Sequence, residues 1–249
     1  MQEKLPAIGD RVAEWDVVNH IAGWGTRIAD VMGSDHVYAE ITRRARELAP
    51  GVEMWINEGG ILPRGDRRDE YERLARLLVE AGAAPDGIGF MGHFGASSLT
   101  PPEEILQVMD RFAAIVPRLQ LTEFDVGVGP DPDLQADYLG DVMTAAFSHP
   151  AVVGIVMWGF WEGRHWRRDD LAHLYTQDWQ IRPAGQRWRD LVFKEWWTNE
   201  TLRTDAAGDV RTRVFRGSYS IVASLPDGRA AHWEGSVGEA ETGVVLRLP

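Results

Sequence analysis

The segment Leu119-Gln120-Leu121-Thr122-Glu123-Phe124-Asp125-Val126 begins as a short β-type run, Leu119 to Thr122, and then presents two carboxylates separated by a phenylalanine. A short β-type run of this kind is the pattern of a buried strand. Four similar runs accompany it: Ala13 to Val18, Val52 to Ile56, Gly87 to Met91 and Val152 to Trp158. Between and after the runs, apolar residues recur three and four apart, which keeps one face of a helix apolar. They are Tyr38, Ile41, Ala45 and Leu48; Tyr71, Leu74 and Leu78; Ile105, Met109 and Phe112; Leu134, Tyr138 and Val142; and finally Trp188, Leu191 and Val192. The alternation predicts a parallel sheet covered by helices. Thr100-Pro101-Pro102-Glu103 offers an N-cap hydroxyl, a proline at the first helical position and a carboxylate at the third, and Pro183 opens the last helix.

After Trp197 the pattern changes. Thr204 to Pro249 contains Gly208, Gly217, Gly228, Gly235, Gly238 and Gly243, with strand-like runs Thr212 to Phe215, Tyr219 to Ser224, Ala230 to Glu234 and Val244 to Leu248. Asp227-Gly228 is a hairpin-turn pair. The expected organisation is an α/β body over residues 1–199 and a small antiparallel β appendage over 200–249, with no internal repeat.

A chain of 249 residues buries a core without staples. The absence of Cys removes disulfides, thiol nucleophiles, Cys-ligated zinc and iron–sulfur clusters together. With 38 acidic against 26 basic residues the net charge is −12, which repels a phosphate backbone and argues against nucleic acid as a partner. The clusters Arg43, Arg44, Arg46 and Arg64, Arg67, Arg68 are interrupted by acidic residues and read as solvated helix faces. No apolar run approaches the roughly 20 residues that span a bilayer, so no membrane role is expected. Met1 to Asp10 show no basic stretch followed by an apolar run, and no signal peptide is visible there. The 11 Trp exceed the needs of a core. Core packing is expected to take more than half, the rest suiting a cleft whose flat rings face sugars.

In a parallel α/β fold, catalytic groups project from the carboxyl ends of strands. Those ends carry Asn19 and His20, then Asn57 and Glu58, His93, Glu123 and Asp125, and finally Trp158, Glu162, His165 and Trp166. Five successive strands ending this way point to an active-site rim. Glu123 leaves a buried strand where a carboxylate can attack an anomeric carbon or act as a base; a capped strand end or an ion pair with an arginine is the structural alternative. His93, in Gly92-His93-Phe94, suits a hydrogen bond to a carboxylate or a sugar hydroxyl, or a purely structural place. His165 and His173 are too far apart for two ligands on one helical turn, and no His-Glu-x-x-His pattern occurs. Gly87-Ile88-Gly89 lacks the later glycine of a nucleotide fingerprint, and Gly59-Gly60 lacks the lysine of a phosphate loop. No metal and no cofactor are expected.

At these residues the chain resembles glycoside hydrolase family 10, the (β/α)8 endo-β-1,4-xylanases. Trp15-Asp16-Val17-Val18-Asn19 is similar to the family's fourth-strand motif, and Asp86-Gly87-Ile88-Gly89 with Gly92-His93-Phe94 to its sixth. Leu121-Thr122-Glu123-Phe124-Asp125-Val126 is similar to the seventh, and Trp158-Gly159-Phe160-Trp161-Glu162 with His165-Trp166 to the eighth. The resemblance runs from about Arg11 to Trp197. It implies a TIM-barrel fold represented by strands 4 to 8 only, and retaining hydrolysis of a β-1,4-linked polysaccharide or oligosaccharide of the xylan type. By position, Glu123 would be the nucleophile, Asn19 would bond the 2-hydroxyl of the sugar in the cleaved subsite, and His93 would orient Glu123. Trp158 would floor that subsite and Trp166 would cover it. An extracellular or periplasmic location follows from the family.

The departures carry information too. The family places its acid/base glutamate directly after the asparagine of the fourth strand, and here that position is His20. An imidazole can donate a proton, with a reach and geometry different from a carboxyl, so weak or altered hydrolysis is expected. Glu58 stands where the family usually carries Asp and is assigned to the substrate rim, with service as a substitute acid as a second option. Met91 replaces a glutamine, and Glu162 an aspartate. The first three β/α units have no counterpart before residue 11, leaving two open parallel edges. The chain is therefore expected to be incomplete at its front, or to complete its sheet through a partner or by self-association. The alternatives to an enzyme are a non-catalytic carbohydrate-binding relative and an inactive fragment.

Overall fold

The computed structural model describes residues 7, 11–23, 27–63, 65–238, 240 and 242–248. The reading of Met1 to Asp10, Ala7 apart, and the place of Arg64 in its basic cluster lie outside the described residues. The chain forms two compact units, Met1–Trp188 and Arg189–Pro249.

In the first unit, the described residues form one parallel sheet. Its neighbours in order are β1 (Glu14–Asn19), β2 (Glu53–Gly59), the pair β3 (Gly87–Met91) and β4 (His93–Gly95), β5 (Leu119–Gly127) and β6 (Val152–Met157). β3 and β4 are two segments of one strand position interrupted at Gly92, the first pairing with the start of β5 and the second with its end. The crossovers contain α1 (Ile28–Met32), α2 (Val37–Leu48), α3 (Arg68–Glu80), α4 (Pro102–Ala113) and α5 (Pro132–Ser148), and α6 (Pro183–Asp190) follows the last strand. The sheet and its helices are an incomplete (β/α)8-type barrel. Val153 and Val156 of the edge strand β6 are 51% and 46% exposed, although their residue type and parallel strand would place them inside a closed barrel.

The helices pack by the stripes that the sequence marks. Tyr71, Leu74, Ala75 and Leu78 of α3 and Ile105, Val108, Met109 and Phe112 of α4 are buried. Tyr71 and Phe90 each meet the Phe112 ring, at centroid distances of 5.2 and 5.3 Å. The Tyr71 hydroxyl donates to the carbonyls of Ile56 and Gly89, at 2.9 and 3.0 Å, and so clips α3 onto two adjacent strands. Burial pushes this phenol well above its ordinary pKa, so it stays a donor.

Several local expectations need correction. Pro101, not Thr100, is the N-cap of α4, because the Thr100 hydroxyl donates to the carbonyls of Leu62 and Pro63, at 2.7 and 3.1 Å. A buried hydroxyl is better used on buried loop carbonyls than on the helix end. Arg67 and Arg68 are not solvated helix charges: Arg67 reaches Glu58, and Arg68 bonds the Ile61 and Leu62 carbonyls and Glu104. Among the described tryptophans only Trp55 is fully buried, so the indoles are far less committed to the core than expected.

In the second unit, β7 (Gly217–Ser224) and β8 (Ala230–Val237) form an antiparallel hairpin. Its turn uses Asp227-Gly228 as expected, with Leu225 N–H donating to the Arg229 carbonyl at 2.9 Å and Gly228 at φ +89°. The runs Thr212 to Phe215 and Val244 to Leu248 are not strands. Around the first, hydrogen bonds go to side chains: Phe215 N–H donates to Thr198 Oγ1 and Thr212 Oγ1 to Glu200.

Candidate active site

Glu123 owes its position to a bulge. Leu121 pairs with Phe90, whereas Asp125 pairs with His93, so β5 carries one more residue than its neighbour between these points. The register of β5 against β6 shifts over the same stretch, between Leu121 and Phe124. A bulge bends a strand and re-aims its side chains, and here both Glu123 and Asp125 address the imidazole of His93. Nε2 of His93 lies 3.2 Å from Glu123 Oε2, and Nδ1 lies 3.1 Å from Asp125 Oδ2. Burial disfavours the imidazolium, but the bonds to Asp125 and Glu123 outweigh it and the net shift of His93 is upward. A protonated His93 donates to both carboxylates and holds Glu123 in one orientation.

Below the bulge the sheet interior is tightly fitted. Thr122 Oγ1 donates to Asn57 Oδ1 at 2.8 Å, and a Cβ on Gly89 would lie 2.7 Å from that oxygen and from Thr122 Cγ2. Glycine is the residue that this layer admits between Asn57 and Thr122.

The loop after β6 supplies the wall. Trp166 Nε1 donates to Asp125 Oδ2 at 2.8 Å, and its ring meets His93 edge to face at 4.8 Å while remaining 60% exposed. Arg167 donates from Nη1 to Asp125 Oδ1 at 2.7 Å. Trp158 follows β6 directly, anchored by its N–H to the Phe124 carbonyl at 3.0 Å, with its ring about half exposed. Glu162 lies farther along this loop, accepting from Gln177 N–H at 2.8 Å, and so holds loop to loop.

The end of β1 forms the second cluster. β1 is also bulged, its register against β2 shifting between Asp16 and Val18. Asn19, in register with Asn57, is exposed. His20 adopts φ +55°, in the left-handed region that non-glycine residues enter at a cost, and its Nδ1 lies 3.4 Å from Glu58 Oε1. Glu58 is fully buried. Its carboxylate accepts from the backbone N–H of Ala22 at 2.6 Å, Gly23 at 3.2 Å and Gly59 at 2.8 Å, and from Arg67 Nη1 at 3.3 Å. These bonds define the turn that presents His20. Met91 is buried beside Gly59.

Two groups of this site are hard to read from sequence. Asp16 retains solvent access on the sheet surface, yet desolvation and the negative charges of Glu14 and Glu123 raise its carboxyl to about 6. Arg167 is one of many arginines; its place beside Trp166 was the available signal. Asp125 was visible as a strand-end carboxylate, but its use as the common acceptor of His93, Trp166 and Arg167 depends on the bulge. Among the described residues, no group of three or more His, Asp or Glu side chains is placed to hold a metal ion, and no helix is long and apolar enough to cross a membrane.

The model of glycosyl hydrolase family 10 matches residues 2–190. The chain is 34% identical over 212 residues to anti-sigma-I factor RsgI6 of Acetivibrio thermocellus, covering 85% of this chain and 27% of that protein. It is 29% identical over 221 residues to endo-1,4-beta-xylanase 2 of Arabidopsis thaliana, covering 87% of this chain and 20% of the relative. The chain therefore spans only about a quarter or less of these curated relatives. Among solved structures, native xylanase 10B from Thermotoga maritima superposes with a TM-score of 0.70 at 22% identity, over 78% of this chain and 64% of that one, a likeness of fold.

Proposed function

The chain belongs to glycosyl hydrolase family 10, and on that premise we propose that it is a retaining hydrolase of β-1,4-xylan-type polysaccharide with Glu123 as its nucleophile. The observation that carries this reading is the Glu123–His93–Asp125 chain at the carboxyl end of β5, with the exposed ring of Trp166 beside it.

In the first step a Glu123 oxygen attacks the anomeric carbon and the glycosidic C–O bond breaks. The departing oxygen takes a proton from the acid, and the sugar is left as an ester of Glu123. In the second step water attacks the same carbon, the same group accepts its proton, and Glu123 returns as a carboxylate. His93 keeps the attacking carboxylate aimed. We assign the acid/base role to His20, supported by its position one residue beyond Asn19 and by its contact with Glu58. Asn19 bonds the 2-hydroxyl in this proposal, while Trp158 and Trp166 stack against the ring. Glu58, surrounded by protein donors, is better suited to orienting His20 than to touching substrate.

Hydrolysis of xylan or an aryl xyloside by the chain, lost in Glu123→Gln, tests the proposal; activity unchanged in that variant removes Glu123 from the role. A second reading, favoured by His20 in place of the family's acid, is a carbohydrate-binding relative without turnover. Calorimetry with xylo-oligosaccharides separates the two, since binding without product supports the second. We also propose that the open edges at β1 and β6 are covered by self-association or by further strands, which sedimentation of the chain tests. A location outside the cytoplasm follows the family and is tested by fractionation.

A further inference from the structure

Arg167 makes more polar contacts than a surface arginine requires. Its side chain is 13% exposed. Besides Asp125 Oδ1, it donates from Nη1 to the Phe94 carbonyl at 2.8 Å, from Nη2 to the Gly127 carbonyl at 3.2 Å and from Nε to Asp170 Oδ2 at 3.1 Å. Its backbone N–H donates to His165 Nδ1 at 3.1 Å. One side chain thus joins the end of β4, the end of β5 and the loop after β6. The fit is close: a Cβ on Gly127 would lie 2.6 Å from Nη2.

We propose that Arg167 is a positioning residue of this site, whose guanidinium fastens the Trp166 loop to Asp125 and so sets both the sugar-facing ring and the imidazole that aims Glu123. The inference rests on the reading of Glu123 as nucleophile, but it concerns a different group and can fail by itself.

Asp125 is fully buried and divides its oxygens: Oδ1 faces Arg167, while Oδ2 faces His93 and the Trp166 indole. A cation on Oδ1 neutralises part of the charge that holds the proton on His93. Without it Asp125 pulls harder, the imidazolium persists to higher pH, and Glu123 remains bonded to a full cation. The loop also loses three anchors at once. Lysine cannot replace them, because a single ammonium does not match the planar fork that reaches four acceptors in different directions. The charged and titratable groups that act on His93 are Asp125 and Glu123 from β5 and His165 from the loop after β6, and Arg167 reaches it through the shared Asp125. Asp16 of β1 acts on it through Glu123. Burial holds His165 toward its neutral form, leaving Arg167 as the cation in this group whose removal is decisive.

The experiment is an NMR titration of the His93 imidazole in the wild-type chain, Arg167→Met and Arg167→Lys, beside the pH profile and KM for an aryl xylobioside. Asp170→Asn, altered at an exposed partner of Arg167, supplies a milder variant should Arg167→Met fold poorly. The expected result is an upward shift of the His93 midpoint by about half a pH unit or more in Arg167→Met. The pH profile of kcat should change over the range in which His93 titrates, and KM should rise at least several-fold from the loosened Trp166. Arg167→Lys should restore the midpoint in part and KM little. Unchanged His93 titration in folded Arg167→Met overturns the inference, even if activity falls. A shifted titration in a chain that never hydrolyses the xylobioside upholds Arg167 and defeats the hydrolase proposal instead.

Discussion

With the acid/base role assigned to residue 20 as proposed, replacing His20 by glutamate supplies a carboxyl acid in its place. Because Nδ1 of His20 lies 3.4 Å from Glu58, the new carboxyl would face a buried carboxylate at close range. Two like charges about 4 Å apart at an effective dielectric near 20 repel by about 4 kcal/mol, or about three pKa units. Arg67 and the three backbone donors on Glu58 offset part of this, leaving a rise of about one to two units, into the range useful to a general acid near neutral pH. The left-handed backbone at position 20 costs about 1–2 kcal/mol for any non-glycine residue, so histidine already bears that strain and the exchange adds little. General-acid assistance contributes about 10²–10⁴-fold, and His20→Glu is expected to recover about 10–100-fold of it. The assay compares xylobiose release from xylotetraose with hydrolysis of a dinitrophenyl xylobioside, whose leaving group needs no proton. The gain should appear in the first reaction and be nearly absent from the second. Equal gains on both, or none on either, would refute the placement of the acid at residue 20.

Other consequences follow from particular contacts. Glu123→Gln should reduce kcat by about 10³-fold or more while retaining xylo-oligosaccharide affinity within a few-fold; calorimetry on the inactive variant checks the second half. Tyr71→Phe removes the clip from α3 to Ile56 and Gly89 and should cost about 1–2 kcal/mol in urea unfolding, whereas a neutral result would mean that neither bond stabilises the sheet. Asp16 has a raised carboxyl, so as pH climbs from about 4 through 6 the unfolded chain ionises first and native stability falls. Asp16→Asn should therefore raise the melting temperature at pH 7.5 and leave it unchanged at pH 3.5, as differential scanning calorimetry would report. The opposite pH dependence would show that Asp16 is stabilised as an anion.

Much of the barrel was legible because its signals are local. Buried parallel strands and amphipathic helices write their periods directly into the chain, and β2, β3 and α3 to α5 lie where those periods place them. Glu123, His20 and His93 were visible as polar groups at strand ends. Their geometry was not, since it depends on the bulge in β5 and on the turn held by Glu58, both set by pairings between residues far apart in sequence. Thr100 illustrates the same limit: its capping signature is local, but carbonyls from Leu62 and Pro63 claimed the hydroxyl. Arg67 and Arg68 depart from the expected solvated face for a similar reason, because partners such as Glu58 and Glu104 are brought to them only by the fold. In the tail, β-type residues between Thr212 and Phe215 remain outside the sheet. Propensity without a pairing strand does not make a strand.

Trapping the covalent bond proposed between Glu123 and the sugar separates this carboxylate from every other one on the rim. The chain would be incubated with a dinitrophenyl 2-deoxy-2-fluoro-xylobioside, which slows both steps but supplies a leaving group needing no acid. Intact mass followed by peptide mapping then locates the adduct. One xylobiosyl group per chain is expected, carried by Glu123 and absent in Glu123→Gln. An adduct on another residue, or a chain that remains unlabelled, would contradict the role proposed for Glu123.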